Sequence, residues 1–535
     1  MNLRFHSLFA LAATLMSPLG AQDFTGTITL TGKTPINTTF TRGYAGVGQV
    51  GKSGSALIRI SLAQALSESD YKSGEGPIAP TITFAFNRLD QITAFSAQGI
   101  SDPSPTTVVI GGGVTGGTGA YNGATSPGGT LRLTLTRTPA PENGYRLTVT
   151  GAATVGGQPV DLAVTDVLLL PTGTTINLFD QETGTANITP LGSANAVVRS
   201  HPDTNNWQTS HFLEINIALN FSPTDILRLF LTIEGEDDGF GPITIAGGTG
   251  KFAGASGSGR IVSTTSAAGN DVINIAGTVT LAGPTTPIIT SVNAAGGLGQ
   301  GPQIVQNGWI EIKGTHLVPT ATPAGGMFWS NAPEFAQGML PTGLGPVSVT
   351  INGKPAHIWW FCSAASGPSC PADQINVLAP LDAYIGQVPV VVRNGTATSG
   401  VAIVNKLNTV PAFLLFSAKG EAVATHADGR LLGAASLFPG LSLPGARGET
   451  VSLWGAGFAL PKEALTAGSA TQSGTLPGRL ACLLSGKPAP VAAALVSPGL
   501  YQFNVTIPQD APTGDNHFYC TYADGVTPAV LLAVQ

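Results

Sequence analysis

The sequence predicts an all-β chain, ordered as two tandem antiparallel β-barrel-like repeats followed by two Ig-like β-sandwich modules. Three observations carry that expectation. Charged residues are 10% of the 535 residues, against roughly 25% in an average soluble domain, too few to clothe long helices. The chain holds 70 Gly and 39 Pro, which punctuate it into short segments. Those segments alternate apolar residues with Thr, Ser or Asn, the period of a strand with one buried face.

The N-terminus comes first. Residues 1–21 read as a signal peptide: Arg4 lies in the leading segment, an apolar run follows from Ser7 to Met16, and Ser17-Pro18-Leu19-Gly20-Ala21 offers small residues for cleavage. The expected localisation is therefore export, to the periplasm, cell surface or exterior. No later stretch approaches ~18 uncharged apolar residues, so no transmembrane segment is expected. The net charge is −6 and no Lys/Arg cluster occurs, which excludes nucleic acid as a partner class.

Residues 22–171 and 172–284 form the first repeat. Gly116-Gly117-Thr118-Gly119-Ala120-Tyr121-Asn122-Gly123-Ala124-Thr125 recurs as Gly247-Gly248-Thr249-Gly250-Lys251-Phe252-Ala253-Gly254-Ala255-Ser256. Each copy is preceded by an alternating segment, Thr81–Phe86 or Glu214–Leu219, and followed by two more. Glycines at fixed offsets suit a tight turn with positive φ, plugged on one side by Tyr121 or Phe252. A phosphate-binding loop would need a helix after it, and strands follow instead. The motif resembles the GGTG-x-F-x-GA-x-G turn of the allene oxide cyclase and dirigent-protein barrels. That resemblance implies an eight-stranded antiparallel barrel in each copy, of a kind that guides cyclisation or radical coupling. Only the turn matches, so no catalytic residue is carried over.

Residues 285–408 and 409–535 form the second repeat. Trp309–Leu317 parallels Val451–Phe458, Asn352–Ala356 parallels Ser485–Ala489, and Gln374-Ile375-Asn376-Val377 parallels Gln502-Phe503-Asn504-Val505. Short strands with regular turns read as one sandwich per copy. This half resembles a C-terminal module family of exported acidobacterial proteins, through Leu340-Pro341-Thr342, Asn352-Gly353, Pro411-Ala412-Phe413, Ala427-Asp428-Gly429 and both Gln-x-Asn segments. The resemblance implies tandem Ig-like folds, export and a surface role, with no catalytic residues. The Cys362–Cys370 insert departs from the family pattern.

Four cysteines in an exported chain predict two disulfides. Leu480, Cys482 and Leu484 share one apolar strand face, as do Phe518, Cys520 and Tyr522, so Cys482–Cys520 is the expected core bridge. Cys362 and Cys370 flank Gly367-Pro368 and suit a closed loop tip.

The chemistry-bearing constellations are sparse. No Gly-x-Ser-x-Gly elbow occurs. His201-Pro202-Asp203 and His426-Ala427-Asp428 each supply two metal ligands, too few for a site. Glu234, Glu236, Asp237 and Asp238 are the candidate Ca²⁺ ligands, with a solvated hairpin tip as the alternative reading. Apart from that Ca²⁺ candidate, no cofactor is expected. Trp359 and Trp360 should face opposite sides of a strand, one in the core and the other exposed or covered by the Cys362–Cys370 loop; an exposed one could stack on a sugar or anchor a partner, with plain edge packing as the alternative reading. Gln374/Asn376 and Gln502/Asn504 should hydrogen-bond a neighbouring turn.

The expected function is a non-catalytic surface or periplasmic binding or structural protein, with a protein or carbohydrate partner. The alternative is a small-ligand-binding barrel enzyme of cyclase or isomerase type in the N-terminal half. The barrel interior discriminates between them: a roomy polar lumen favours the enzyme, and a filled one favours binding.

Overall fold

The structure is a computed structural model; it describes residues 21–66, 78–87, 89–96, 107–126, 130–139, 144–202, 213–233, 241–267, 270–294, 303–367, 370–478, 480–522 and 525–535. It is all-β.

The N-terminal half contains β1 (Gln22–Val50), β2 (Gly54–Leu66), β3 (Ile78–Ala85), β4 (Gln91–Ser96), β5 (Thr107–Thr118), β6 (Leu131–Arg137), β7 (Tyr145–Thr150), β8 (Ala152–Val155), β9 (Gln158–Asp161), β10 (Val164–Thr189), β11 (Gly192–Pro202), β12 (Leu213–Asn220), β13 (Ile226–Ile233), β14 (Pro242–Thr249), β15 (Ser256–Ala267) and β16 (Asn270–Thr280). Strands β8 and β9 make a separate hairpin, and the others close into one ring. Strands β1 and β10 also pair with each other across that ring, from Thr25 opposite Thr189 to Ala45 opposite Leu170. This cross-pairing divides the ring into two eight-stranded barrels that share both strands. Gln22–Leu30 pairs with β16 in the second barrel, while Thr38–Val50 pairs with β2 in the first. Likewise Val164–Leu169 pairs with β7, and Asp180–Ile188 with β11.

The barrels therefore interlock. The expected boundary between 171 and 172 runs through β10, and the first residues of the chain complete the barrel built by the second sequence copy. Strand β1 has 29 residues and would span roughly 95 Å if straight. That is far more than one barrel wall needs, so a single strand serves both.

Alternation fills each lumen. In the first barrel Ile58, Ile60, Phe84, Ile92, Leu133 and Leu147 are buried together. In the second, Ile28, Ile188, Leu219, Leu229, Ile245 and Ile275 do the same. Arg132 and Arg146 alternate with these on the outside and are exposed. An apolar lumen with a polar exterior is the inverse of a membrane-spanning barrel. No helix among the described residues is long and apolar enough to cross a membrane.

The repeated turns are built alike. Gly119 and Gly250 both sit at φ +58°, and a Cβ on either would lie 2.1 Å from the Oδ1 of Asp90 or Asp225. Those oxygens accept the backbone N–H of Ala120 and Lys251 at 2.7 and 3.1 Å. Tyr121 packs on Phe86, and Phe252 on Phe221, with ring centroids 4.8 and 5.0 Å apart. The hydrogen bond from Ala120, followed by that from Asn87, holds the Asp90 carboxyl below its ordinary range.

The C-terminal half is two β-sandwiches, each of two sheets. Strands from Ile288–Ala294 to Ala402–Leu407 build the first, around Ile312, Val349, Phe361, Ile375 and Val390. Strands from Ala412–Phe413 to Val530–Val534 build the second, around Phe413, Leu453, Phe503 and Phe518. Cys482 and Cys520 lie directly opposite on neighbouring strands and form a disulfide inside that core. Cys362 is bonded to Cys370.

The last sandwich docks on the first barrel through Ala45, Leu57, Ala85, Tyr519 and Ala529. His517 is buried at this seam, against the backbone of Ser55 and Phe86. Burial lowers its pKa from 6.5 to about 4, and Arg59 repulsion adds to the effect. The unfolded chain thus takes up a proton below pH 6.5 that the folded chain resists until about pH 4. Stability from this group is present above pH 6.5 and is lost as pH falls toward 4, on the order of 3 kcal/mol in all. Urea midpoints should fall across this window, and His517→Gln should flatten that slope.

Interlocking also makes a fragment prediction. Residues 22–284 should fold cooperatively, whereas 172–284 alone lacks its share of β1 and should stay unfolded by circular dichroism. A cooperative urea transition for 172–284 would contradict the shared-strand architecture.

Candidate functional site

The sequence places two tryptophans side by side, and strict alternation would bury one. The strand His357–Cys362 instead carries a bulge between Ile358 and Trp360. The extra residue lets Ile358 and Phe361 both point inward, each fully buried. Trp359 and Trp360 are both left outside the sandwich core. The expectation of one core tryptophan is corrected accordingly.

Outside the core, Trp359 joins a ring cluster. Its centroid is 5.6 Å from Trp309 and 6.2 Å from Trp329. Trp309 and Trp329 are 5.9 Å apart, and Phe335 stacks on Trp329 at 5.3 Å and 22°. A short 3-10 turn at Trp329–Asn331 presents the middle ring. Trp360 leans the other way, its indole N–H donating to Gly325 O at 3.0 Å and its ring 6.2 Å from Phe328. Trp359 is 39% exposed and Phe328 42%. The result is a rigid aromatic shelf, half apolar face and half solvent, with the geometry to stack on a sugar ring or an apolar side chain.

The shelf stands at the seam between the sandwiches. Trp309 Nε1 donates to Pro498 O at 2.8 Å. Buried Asn307 Nδ2 donates to Gln472 Oε1 at 2.7 Å. Leu340 N donates to Gly468 O at 2.7 Å, and Ala470 N to Gly338 O at 2.8 Å. His357 bonds Leu340 O through Nδ1 at 3.0 Å, and its burial lowers its pKa. These contacts fix the second sandwich beside the shelf without covering Trp359.

The other sequence candidates fare differently. Glu234, Glu236, Asp237 and Asp238 lie outside the described residues, as does Asp203. No group of three or more His, Cys, Asp or Glu side chains is poised for a metal among the described residues. His426 is structural: Nδ1 meets Glu449 Oε1 at 2.5 Å and Nε2 meets Leu443 O at 2.9 Å. Asp428 pairs with Arg430 in the exposed turn. The Gln-x-Asn pairs bond along their own strand, the second also to Ser452 on the neighbouring strand, and not to a turn. Gln374 Nε2 donates to Asn376 Oδ1 at 2.9 Å, and Gln502 Nε2 to Asn504 Oδ1 at 2.8 Å. Neighbours two apart share a face, so the amides satisfy each other.

Sequence reasoning also missed a buried lysine. Lys406 is fully buried and donates to the carbonyls of Asp382 and Tyr384. Asp382 is held at about 2: burial pushes it up, but hydrogen bonds from Asn352, Lys354 and Tyr384, with the Lys406 charge, outweigh this. The network braces one end of the first sandwich.

No family model and no curated protein matches this chain. One solved structure with which it aligns is the N-terminal eight Ig domains of Down syndrome cell adhesion molecule isoform 1.30.30. That alignment is 10% identical, covers 93% of this chain and 64% of the other, and has a TM-score of 0.15. The chain thus spans less than two thirds of that structure, and the score is too low to carry an argument about fold or function.

Trp309 and Trp359 should separate in mutagenesis. Trp309→Ala removes the ring and its bond to Pro498 and should destabilise by about 2–4 kcal/mol. Trp359→Ala should cost under ~1 kcal/mol. Denaturant midpoints of the two variants check this.

Proposed function

We propose that this is an exported, non-catalytic binding protein of the cell surface or periplasm, whose folded units present exterior ligand-binding faces. The filling of both barrel lumens carries this reading. The positions where a cyclase or isomerase would hold its substrate are occupied by Ile60, Phe84 and Leu133 in one barrel and by Leu229, Ile245 and Ile275 in the other. Two disulfides support an oxidising compartment. The exposed shelf around Trp359 supports a carbohydrate or protein partner, because large aromatic rings fixed at a surface are favourable anchors.

The test is a binding screen against extracellular polysaccharides, with products followed by mass spectrometry. The expected outcome is saturable binding without conversion, weakened at least about fivefold by Trp359→Ala for partners that use the shelf. Time-dependent conversion of a bound compound would overturn the non-catalytic reading. Fractionation of the producing cells should place the protein outside the cytoplasm with no free thiols.

A further inference from the structure

A groove of about 690 Å³ lies between the outer wall of the second barrel and the first sandwich. Its volume falls within the range of small-ligand sites. The barrel wall contributes Arg199, Asn216, Asn220 and Arg228; the sandwich contributes Gln387 and Asn405. The floor is kept low by Ala218, Gly247 and Gly248. A Cβ on Gly247 would meet nothing closer than 3.9 Å. Beyond Asn220 the hollow continues past Asn195 and Ser222.

The register sets the spacing of the two arginine backbones. Arg199 lies opposite Asn216, and Arg228 opposite Ala218 on the other side of the same strand. Two strand spacings and two residues of rise put their Cα atoms about 12 Å apart. Arg199 Nε donates to Gln181 Oε1 at 2.7 Å, which orients its fork. Arg228 is exposed. No Asp or Glu lines the groove among the described residues. Glu214, at its margin, has one oxygen accepting the Gln387 backbone N–H at 2.8 Å, and this bond ties the sandwich to the barrel. In a chain with net charge −6 and 24 Lys and Arg in all, two guanidinium groups in a groove with no Asp or Glu in its lining among the described residues are a local concentration of positive charge.

We propose that this groove binds an acidic oligosaccharide, a polyuronate whose every second carboxylate meets an arginine. The proposal rests on the binding reading above and names the ligand class of a second face. Guanidinium forks match carboxylates in a bidentate fashion. Amides that both donate and accept match vicinal hydroxyls, and four of them line the groove. Alternate units of an extended glycan repeat at a spacing within reach of two long side chains rooted this far apart. An acidic peptide fits less well. It would seek an open strand edge for its backbone, and the sandwich strand Ala402–Leu407 offers only a short one, being paired from Ala402 to Lys406 on one side and from Asn405 to Leu407 on the other.

The experiment uses the full exported chain and isothermal titration with oligogalacturonate. Neutral maltotetraose and penta-glutamate serve as controls. Oligogalacturonate should bind with an affinity that falls as salt rises, and the neutral sugar should not bind. Arg228→Gln should weaken binding roughly tenfold. Ala218→Phe, which keeps both charges but fills the floor, should do the same while leaving the unfolding midpoint in place. Binding that survives both variants overturns the groove assignment, even where the protein remains a glycan binder through the Trp359 shelf. Equal affinity for penta-glutamate overturns the carbohydrate class. No binding of oligogalacturonate overturns the proposal outright, and the shelf screen then decides the wider reading separately.

Discussion

The backbone ladder between β1 and β10 is the constraint on which the rest of the architecture depends. A strand edge left open is a row of unpaired N–H and C=O groups, and closure is the one arrangement that removes it. Each barrel here closes only because the other lends it part of a long strand. Separating them would open two edges at once. The pairing therefore joins two lumens, each packed like a small protein core, into one framework with a fixed relation between its outer walls.

That fixed relation gives the surfaces their use. With the lumens filled, binding chemistry has to sit outside, where the modules meet. The first sandwich is held to the second barrel through Glu214 and Gln387, and the second sandwich to the first barrel through the cluster around Leu57 and Tyr519. The sandwiches join each other beside the Trp309–Trp359 shelf. The polar groove and the aromatic shelf both arise at these seams. The groove is shared by two modules, whereas the rings of the shelf all belong to the first sandwich and are braced by Pro498 of the second.

Parts of this were legible in the sequence because they are local. The twin turns could be read from their glycines, since only glycine tolerates both the positive φ and the approach of Asp90 or Asp225 at that point. Their acidic partners were also written there, as Phe86 to Asp90 and Phe221 to Asp225, a spacing that goes unnoticed without the turn it serves. The Cys482–Cys520 pairing followed from strand phase, and Cys362–Cys370 from the short loop between them. The length of β1 did not follow, because Pro35 reads as a break. The structure absorbs it, with Ile36, in an irregularity between Thr34 and Asn37. The bulge at Trp359 was equally hidden: Ile-Trp-Trp-Phe looks like plain alternation until pairing inserts one extra residue. The groove unites Arg228 with Asn405, residues that no sequence spacing relates.

Native-state hydrogen exchange of the β1–β10 ladder tests the shared-strand account most directly. Amides near Thr25 lie in the second barrel, and those near Ala45 in the first. In graded low denaturant both ends should converge on one opening free energy, because neither barrel closes without the other. Two separate exchange isotherms, with one end opening fully while the other stays protected, would show that the barrels are independent units and contradict the account.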